Sequence, residues 1–254
     1  MGDLRGRRAL VTGGGQGLGM AICRELLRQG CEVAIHYFRS EEGARELVEE
    51  ATAQGRRAAA FQADLTDEGE AVSLVERAVA WLGGLEVLVN NTGDLVERVW
   101  LEDITETFWD KVMAVNVKSM MYVTRTAVPH LAQAHGGSSI VNLASLAGRK
   151  GGHAGSLVYG TSKGAVITWT RALAGELADR GIRVNCVAPG LMLGTRFHQT
   201  HTTPESAART VAGIPLGRAG NPEDVARPVA FLASEYDGFI TGATLDINGG
   251  VYSA

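Results

Sequence analysis

Short apolar runs alternate along the chain with longer stretches whose apolar positions recur at helical spacing. Residues 8–12 form the first run, a glycine-rich turn follows at 13–19, and a helical pattern from Met20 to Gln29 stops at Gly30. Further strand-like runs lie at 32–37, 58–62, 86–90, 139–143, 182–187 and 243–247. Helical patterns fill the intervals at 41–54, 67–81, 106–131, 156–180 and 221–234, the last with Pro222 suited to its first turn. The strand-like runs are apolar almost without a break, as strands covered on both faces of a parallel sheet are. The pattern therefore predicts an α/β fold: one doubly wound domain over residues 1–254, with about seven parallel strands and no linker or repeat.

Ligands of such sheets sit beyond the carboxyl ends of the strands. Those ends read Thr12-Gly13, Tyr37-Phe38-Arg39, Asp64, Asn90-Asn91, Ala144-Ser145 and Ala188-Pro189-Gly190, all polar or glycine-rich. The turn at 13–19 joins a strand to a helix, the context in which backbone N–H groups and a helix N-terminus favour a pyrophosphate. Tyr159 and Lys163 stand four residues apart, one turn on the same face of a helix. A neighbouring ammonium favours a phenolate, so this pair is a candidate general acid/base.

Composition adds limits. The chain has 254 residues, 45% of them hydrophobic, with a net charge of −4, which suits one sizeable core and points away from nucleic acid or anionic membranes as partners. Cys23, Cys31 and Cys186 lack metal-ligand spacing and read as buried free thiols in a reducing, cytoplasmic setting. His198 and His201 are too few for a metal site without nearby acidic ligands, so none is expected. The start of the chain lacks the apolar region of a signal peptide, and no apolar stretch is long enough for a transmembrane helix.

With 12-Thr-Gly-Gly-Gly-Gln-Gly-Leu-Gly-19, 90-Asn-Asn-Thr-Gly-93, Asn116, Ser145, Tyr159-x-x-x-Lys163 and Pro189-Gly190 in this order, the chain resembles the short-chain dehydrogenase/reductase family over essentially its whole length. The resemblance implies a Rossmann-type fold, a nicotinamide cofactor and hydride transfer between a carbonyl and a secondary alcohol. Carried onto this sequence, it makes Tyr159 the proton donor in reduction and gives Lys163 two tasks, lowering the pKa of Tyr159 and holding the nicotinamide ribose. Ser145 would hydrogen-bond the substrate oxygen, and Asn116 would anchor a water relay to Lys163. Gly13, Gln16, Gly17, Leu18 and Gly19 would line the pyrophosphate. Asp64 and Leu65 would meet the adenine, Asn90, Asn91 and Gly93 the adenosine side, and Pro189 and Gly190 the nicotinamide.

Three departures matter. Thr92 stands where the family usually has Ala, Tyr159 follows Ser145 by one residue more than in most members, and one extra residue precedes Thr195. The second strand ends in Tyr37 where NAD-preferring members carry an acid, and Arg39 with Ser40 could bind a 2′-phosphate. Gln16 argues mildly the other way, so NADP(H) is expected and NAD(H) remains open. The region 132–137 and Gly175 lack the basic residues expected of 3-oxoacyl carrier-protein reductases. The segments 145–159 and 195–198 are similar to those of sugar and uronate reductases. Arg149, Lys150, His153, Arg196, His198 and His201 would then give a cationic pocket for a small polar keto-compound. The alternatives are an acyl-thioester reductase and a nicotinamide-binding redox sensor. Apolar positions such as Met113, Met120, Met121, Val166 and Trp169 lie on more than one side of their helices, which reads as burial on two sides. The resemblance implies that these helices form the interface of a homodimer or homotetramer.

Overall fold

Seven strands, β1 (Arg8–Val11), β2 (Glu32–Tyr37), β3 (Ala58–Gln62), β4 (Val87–Asn90), β5 (Ser138–Leu143), β6 (Ile182–Pro189) and β7 (Thr244–Ile247), form one sheet in the order β3-β2-β1-β4-β5-β6-β7. All adjacent strands are parallel. The structure is a computed structural model that describes residues 4–234 and 238–253; Met1–Asp3, part of the N-terminal reading, lie outside the described residues. The helices are α1 (Gly17–Arg28), α2 (Glu41–Ala53), α3 (Glu68–Leu82), α4 (Glu106–Met113), α5 (Ser119–Leu131), α6 (Leu146–Lys150), α7 (Leu157–Leu177), α8 (Arg196–His201), α9 (Pro204–Ala212) and α10 (Pro222–Ala233).

Alternate residues of each strand go to opposite faces, which explains why the runs look uniformly apolar. Ala9, Val11, Val33, Ile35, Val87 and Val89 pack with α1, α2 and α10 on one side. Leu10, Ala34, Leu88, Ile140 and Val184 pack with α3, α5 and α7 on the other. Strand order reverses between β1 and β4, so the carboxyl ends of these two strands open the crevice where the helices diverge to opposite faces.

Local chemistry sets the helix limits. Asp67 caps α3 by accepting from the Glu70 amide, and Gly83 ends it at φ +78°. Asn221 and Asp224 form a reciprocal capping box, with Pro222 in the first turn.

Four readings change. The expected helix 106–131 is interrupted by a π-helical turn at Ala114–Lys118. The helix expected over 156–180 is α helix to Leu177 and then a 3-10 turn. Residue 86 lies just before β4, which begins at Val87, and the Glu86 carboxylate binds the Arg8 guanidinium and accepts from the Arg8 amide at 2.8 Å. Helices α6, α8 and α9 were unforeseen: the first and second are too short to show periodicity.

Arg149 also leaves the expected pocket. Its Nε donates to Asp246 Oδ1 at 2.9 Å and its Nη2 to the Thr244 carbonyl at 2.9 Å, tying α6 to edge strand β7. The two side chains are only 9% and 17% exposed, so removing one strands the other's charge. Arg149→Ala should lower the free energy of unfolding by about 3 kcal/mol in urea titration.

Candidate active site

Residues from four elements converge beyond the ends of β4 and β5. Lys163, on α7, is 4% exposed, and its Nζ donates to the carbonyl of Leu143, the last residue of β5, at 2.8 Å. One turn earlier on the same face, the Tyr159 ring centre lies 5.8 Å from that Nζ. Ser145 caps α6, its Oγ accepting from the Ala147 amide at 3.1 Å, and its hydroxyl lies near enough to the Tyr159 phenol to influence its pKa.

Asn116 lies inside the π-helical turn and is 1% exposed. Such a turn widens the helix and re-aims a side chain. Its Nδ2 donates to the Asp94 carbonyl at 2.7 Å and the Val112 carbonyl at 3.0 Å, while its Oδ1 accepts from the Asp94 amide at 3.1 Å. A Cβ on Gly93 would stand 2.7 Å from Asn116 Oδ1 and 2.8 Å from Lys163 Nζ. Gly93 is therefore the gap through which the helix amide and the ammonium reach one point. The four residues expected to act together do come together.

The electrostatics differ from expectation in one respect. Burial pushes Tyr159 up to about 12; the Ser145 hydroxyl pulls it back, and the nearby Asp94 charge adds to the rise. The protein's own groups thus hold Tyr159 as a neutral phenol and do not draw its pKa below the ordinary value. Lys163 is pushed down to about 8, again by burial, with Asp94 opposing.

The cleft beside this cluster fits the expected cofactor. Gly13 and Gly17 have φ of +64° and +54°, and a Cβ on Gly19 would lie 2.1 Å from the Gly13 carbonyl oxygen. At the start of α1, Gln16 is extended, offers no side-chain cap, and no acidic residue occupies the first turn. The first N–H groups of the helix are left for an anion. Asn91 braces the turn from behind, its Nδ2 donating to the carbonyls of Thr12 at 2.9 Å and Gly13 at 3.0 Å. Asp64 lies at the end of β3 with Oδ1 accepting from the Thr66 amide and hydroxyl, and Leu65 beside it is buried. Pro189 and Gly190 close β6, the latter packed against Asn248. Arg39 is exposed and stacks over Phe38, 4.9 Å from its ring centre. Ser40 begins α2 without a side-chain cap bond and touches Gly15; Tyr37 is half-buried.

The Asn90 side chain is committed to the protein interior, leaving its backbone at the end of β4 for the adenosine side expected of it. Its side-chain amide donates to Thr124 Oγ1 at 3.0 Å and Asn142 Oδ1 at 2.9 Å and so serves the core. Asn91 likewise acts through the turn. Thr92, the departure from the family pattern, has a buried hydroxyl without a partner.

Sequence reasoning placed His198 and His201 at the site but missed Phe197, Arg98 and Asp94, which build its roof. Phe197 on α8 lies beside Tyr159, ring centres 5.8 Å apart, with the His201 ring edge-on to it at 5.1 Å. Arg98 bridges the Ala154 and His201 carbonyls at 3.0 and 3.2 Å, and His201 Nε2 is 3.4 Å from Asp94 Oδ1. Burial first, then the charges of His201, His153 and Arg98, push His198 down to about 4. Arg98 and Asp94 carried no local signal, because both act across distant segments. Lys150, His153 and Arg196 are exposed.

Known proteins agree with this geometry. A family model of the short-chain dehydrogenase/reductase group, described as enoyl-(acyl carrier protein) reductase, matches residues 13–252. The chain belongs to the short-chain dehydrogenase/reductase family and is an oxidoreductase of that family. It is 37% identical to the 3-oxoacyl-[acyl-carrier-protein] reductase of Staphylococcus aureus, over 97% of this chain and 98% of that protein. Two solved structures superpose with TM-scores of 0.90. One is the NADH-dependent reductase A1-R′ responsible for alginate metabolism, 35% identical and covering 99% of each chain. The other is a blue fluorescent protein from a metagenomic library in complex with NADPH, 36% identical over 99% of this chain and 100% of that one. No helix among the described residues is long and apolar enough to cross a membrane.

Lys163 gives this site a pH signature. Its folded pKa lies below the unfolded value, so between about 8 and 10.5 the unfolded chain binds the proton more tightly and stability rises with pH. The stability of the wild type relative to Lys163→Met should therefore climb by about 2–3 kcal/mol across that window in urea titrations.

Proposed function

We propose that this protein reduces a small polar keto-compound, a keto-sugar or keto-acid, using NADP(H) in preference to NAD(H). The observation that carries the reading is the placement of the Tyr159 ring, 5.8 Å from the Lys163 ammonium and beside Ser145, under the rim formed by Phe197, His198, His201 and Arg98. A bound nicotinamide supplies the hydride. Ser145 and Tyr159 present two hydroxyl groups to one substrate oxygen, stabilising its growing negative charge, and Tyr159 delivers the proton. Lys163 and Asn116, both buried and joined at Gly93, hold the far side of that arrangement.

The polar rim supports a hydroxylated or anionic substrate, and the likeness to a reductase of alginate metabolism supports the same class. The S. aureus relative favours a second reading, reduction of a 3-oxoacyl thioester. A substrate panel separates them: turnover on keto-sugars or keto-acids upholds the first, and turnover confined to acetoacetyl thioesters upholds the second. Cofactor choice rests on Arg39 and Ser40 at the end of β2, with no acid there, and one similar structure holds NADPH while another is of an NADH-dependent enzyme. The three buried cysteines suit a cytoplasmic setting.

Assembly as a homodimer or homotetramer is part of the same reading. Met120 and Val166 turn out to pack within the chain, and Trp109 and Leu157 are the exposed apolar residues of α4 and α7 that support it. Light scattering showing a stable monomer would refute this part.

Tyr159→Phe should cut turnover by about 10²–10⁴-fold while leaving the Kd for NADPH unchanged in fluorescence titration. Arg39→Ala should lower the NADPH/NADH ratio of kcat/KM by about tenfold or more, since it removes a charged contact to phosphate. An unchanged ratio would show that Arg39 plays no part in the choice.

A further inference from the structure

His36 lies on β2, is 1% exposed, and touches the glycine turn from beneath. Its Nδ1 accepts from the Gly13 amide at 2.9 Å, and its Nε2 lies 3.1 Å from the Ala63 carbonyl oxygen. A backbone N–H can only donate and a carbonyl can only accept, so the ring is held as the neutral tautomer with hydrogen on Nε2. Its own carbonyl accepts from the Gly14 amide at 2.7 Å.

One residue therefore turns two successive amides of the turn down into the sheet, at the point where the β1–β2 ladder has ended at Val11 and Ile35. With those two amides committed, the turn rises into the Gln16–Gly19 segment, whose own amides begin α1. The same ring grips Ala63, the residue before Asp64, so it also links the turn to the end of β3. Burial keeps the ring uncharged, pushing its pKa down to about 4.

We propose that His36 is a positioning residue for the dinucleotide: it sets the glycine turn for the pyrophosphate and ties it to the strand end that faces the adenine. This rests on the reading that the turn at 13–19 holds the cofactor. No contact between His36 and the cofactor is involved. The effect passes through the Gly13 amide, which points into the sheet in a half-buried position and would be left unpaired if the acceptor on residue 36 were lost.

Two substitutions divide the ring's contacts. In His36→Asn the Oδ1 occupies the position of Nδ1 and keeps an acceptor under Gly13, while the reach to Ala63 is lost. In His36→Gln the terminal amide stands near the place of Nε2, keeping a donor for Ala63 and removing the acceptor beneath Gly13. Calorimetric Kd values for NADP⁺ and NAD⁺ would be measured on the wild type and both variants at pH 7.5. Amide hydrogen exchange of the 13–19 segment in the cofactor-free proteins and urea midpoints would be measured alongside.

His36→Asn should stay within about threefold of the wild-type Kd, while His36→Gln should weaken binding about tenfold or more, the scale of one lost hydrogen bond. Faster exchange should appear in the turn of His36→Gln and not of His36→Asn, with kcat at saturating cofactor and the substrate KM unchanged in both. Equal affinities for the two variants, or losses that track the urea midpoints, would overturn the positioning role. Failure of the folded wild type to bind either dinucleotide would overturn the cofactor reading and this inference with it.

Discussion

The ammonium of Lys163 is bonded to the carbonyl of Leu143 at 2.8 Å in a place nearly closed to water. A buried charge is tolerated only with a strong partner, and this carbonyl is free because the β5 ladder stops there. The same condition recurs along the whole upper edge of the sheet. Where a parallel ladder ends, unpaired N–H and C=O groups must be met by side chains. Thr12 Oγ1 accepts from the amides of Asn91 and Thr92, Asn91 donates to the carbonyls of Thr12 and Gly13, and His36 accepts from Gly13. Catalytic order at this edge follows from satisfying the ends of strands.

The π-helical turn extends that order to the helical layer. An ordinary helix over 106–131 would keep its backbone bonds in register and give Asn116 no reason to face β4. The wider turn lets its amide clasp both backbone groups of Asp94, which fixes the loop after β4 and brings Asn116 against Gly93 and Lys163. Asp94 then carries a second connection, through His201, to the short helix whose Phe197 lies beside Tyr159. Acid/base, its support and its roof are thus one connected set of contacts, so a change at Asp94 or Arg98 reaches the reacting centre without touching it.

Burial also decides the protonation states. It raises Tyr159 and lowers Lys163, bringing both towards their uncharged forms. A phenol retained as an acid suits reduction, where a proton must be given at the moment hydride arrives. The sequence-based expectation had the Lys163 ammonium lower the pKa of Tyr159, and it left out the burial of Lys163 and the partial burial of Tyr159, which oppose that effect.

Much of this was legible in order and spacing. Continuous apolar runs separated by amphipathic stretches specify a two-faced parallel sheet, because each strand must feed both cores. The glycine turn specifies its own backbone, since only glycine takes φ of +64° or +54° there without strain. Ser145, Tyr159 and Lys163 are near enough in sequence to be read as one group. What no local pattern could supply was the use of side chains across long separations. The Asn90 side chain, at a strand end, serves the core, Arg149 looked like a pocket cation and holds β7, and His36 looked like one more strand residue and holds the turn. Each of these is decided by which unpaired backbone group or buried charge lies opposite it once the strands have been laid side by side, and that is settled only by the tertiary structure.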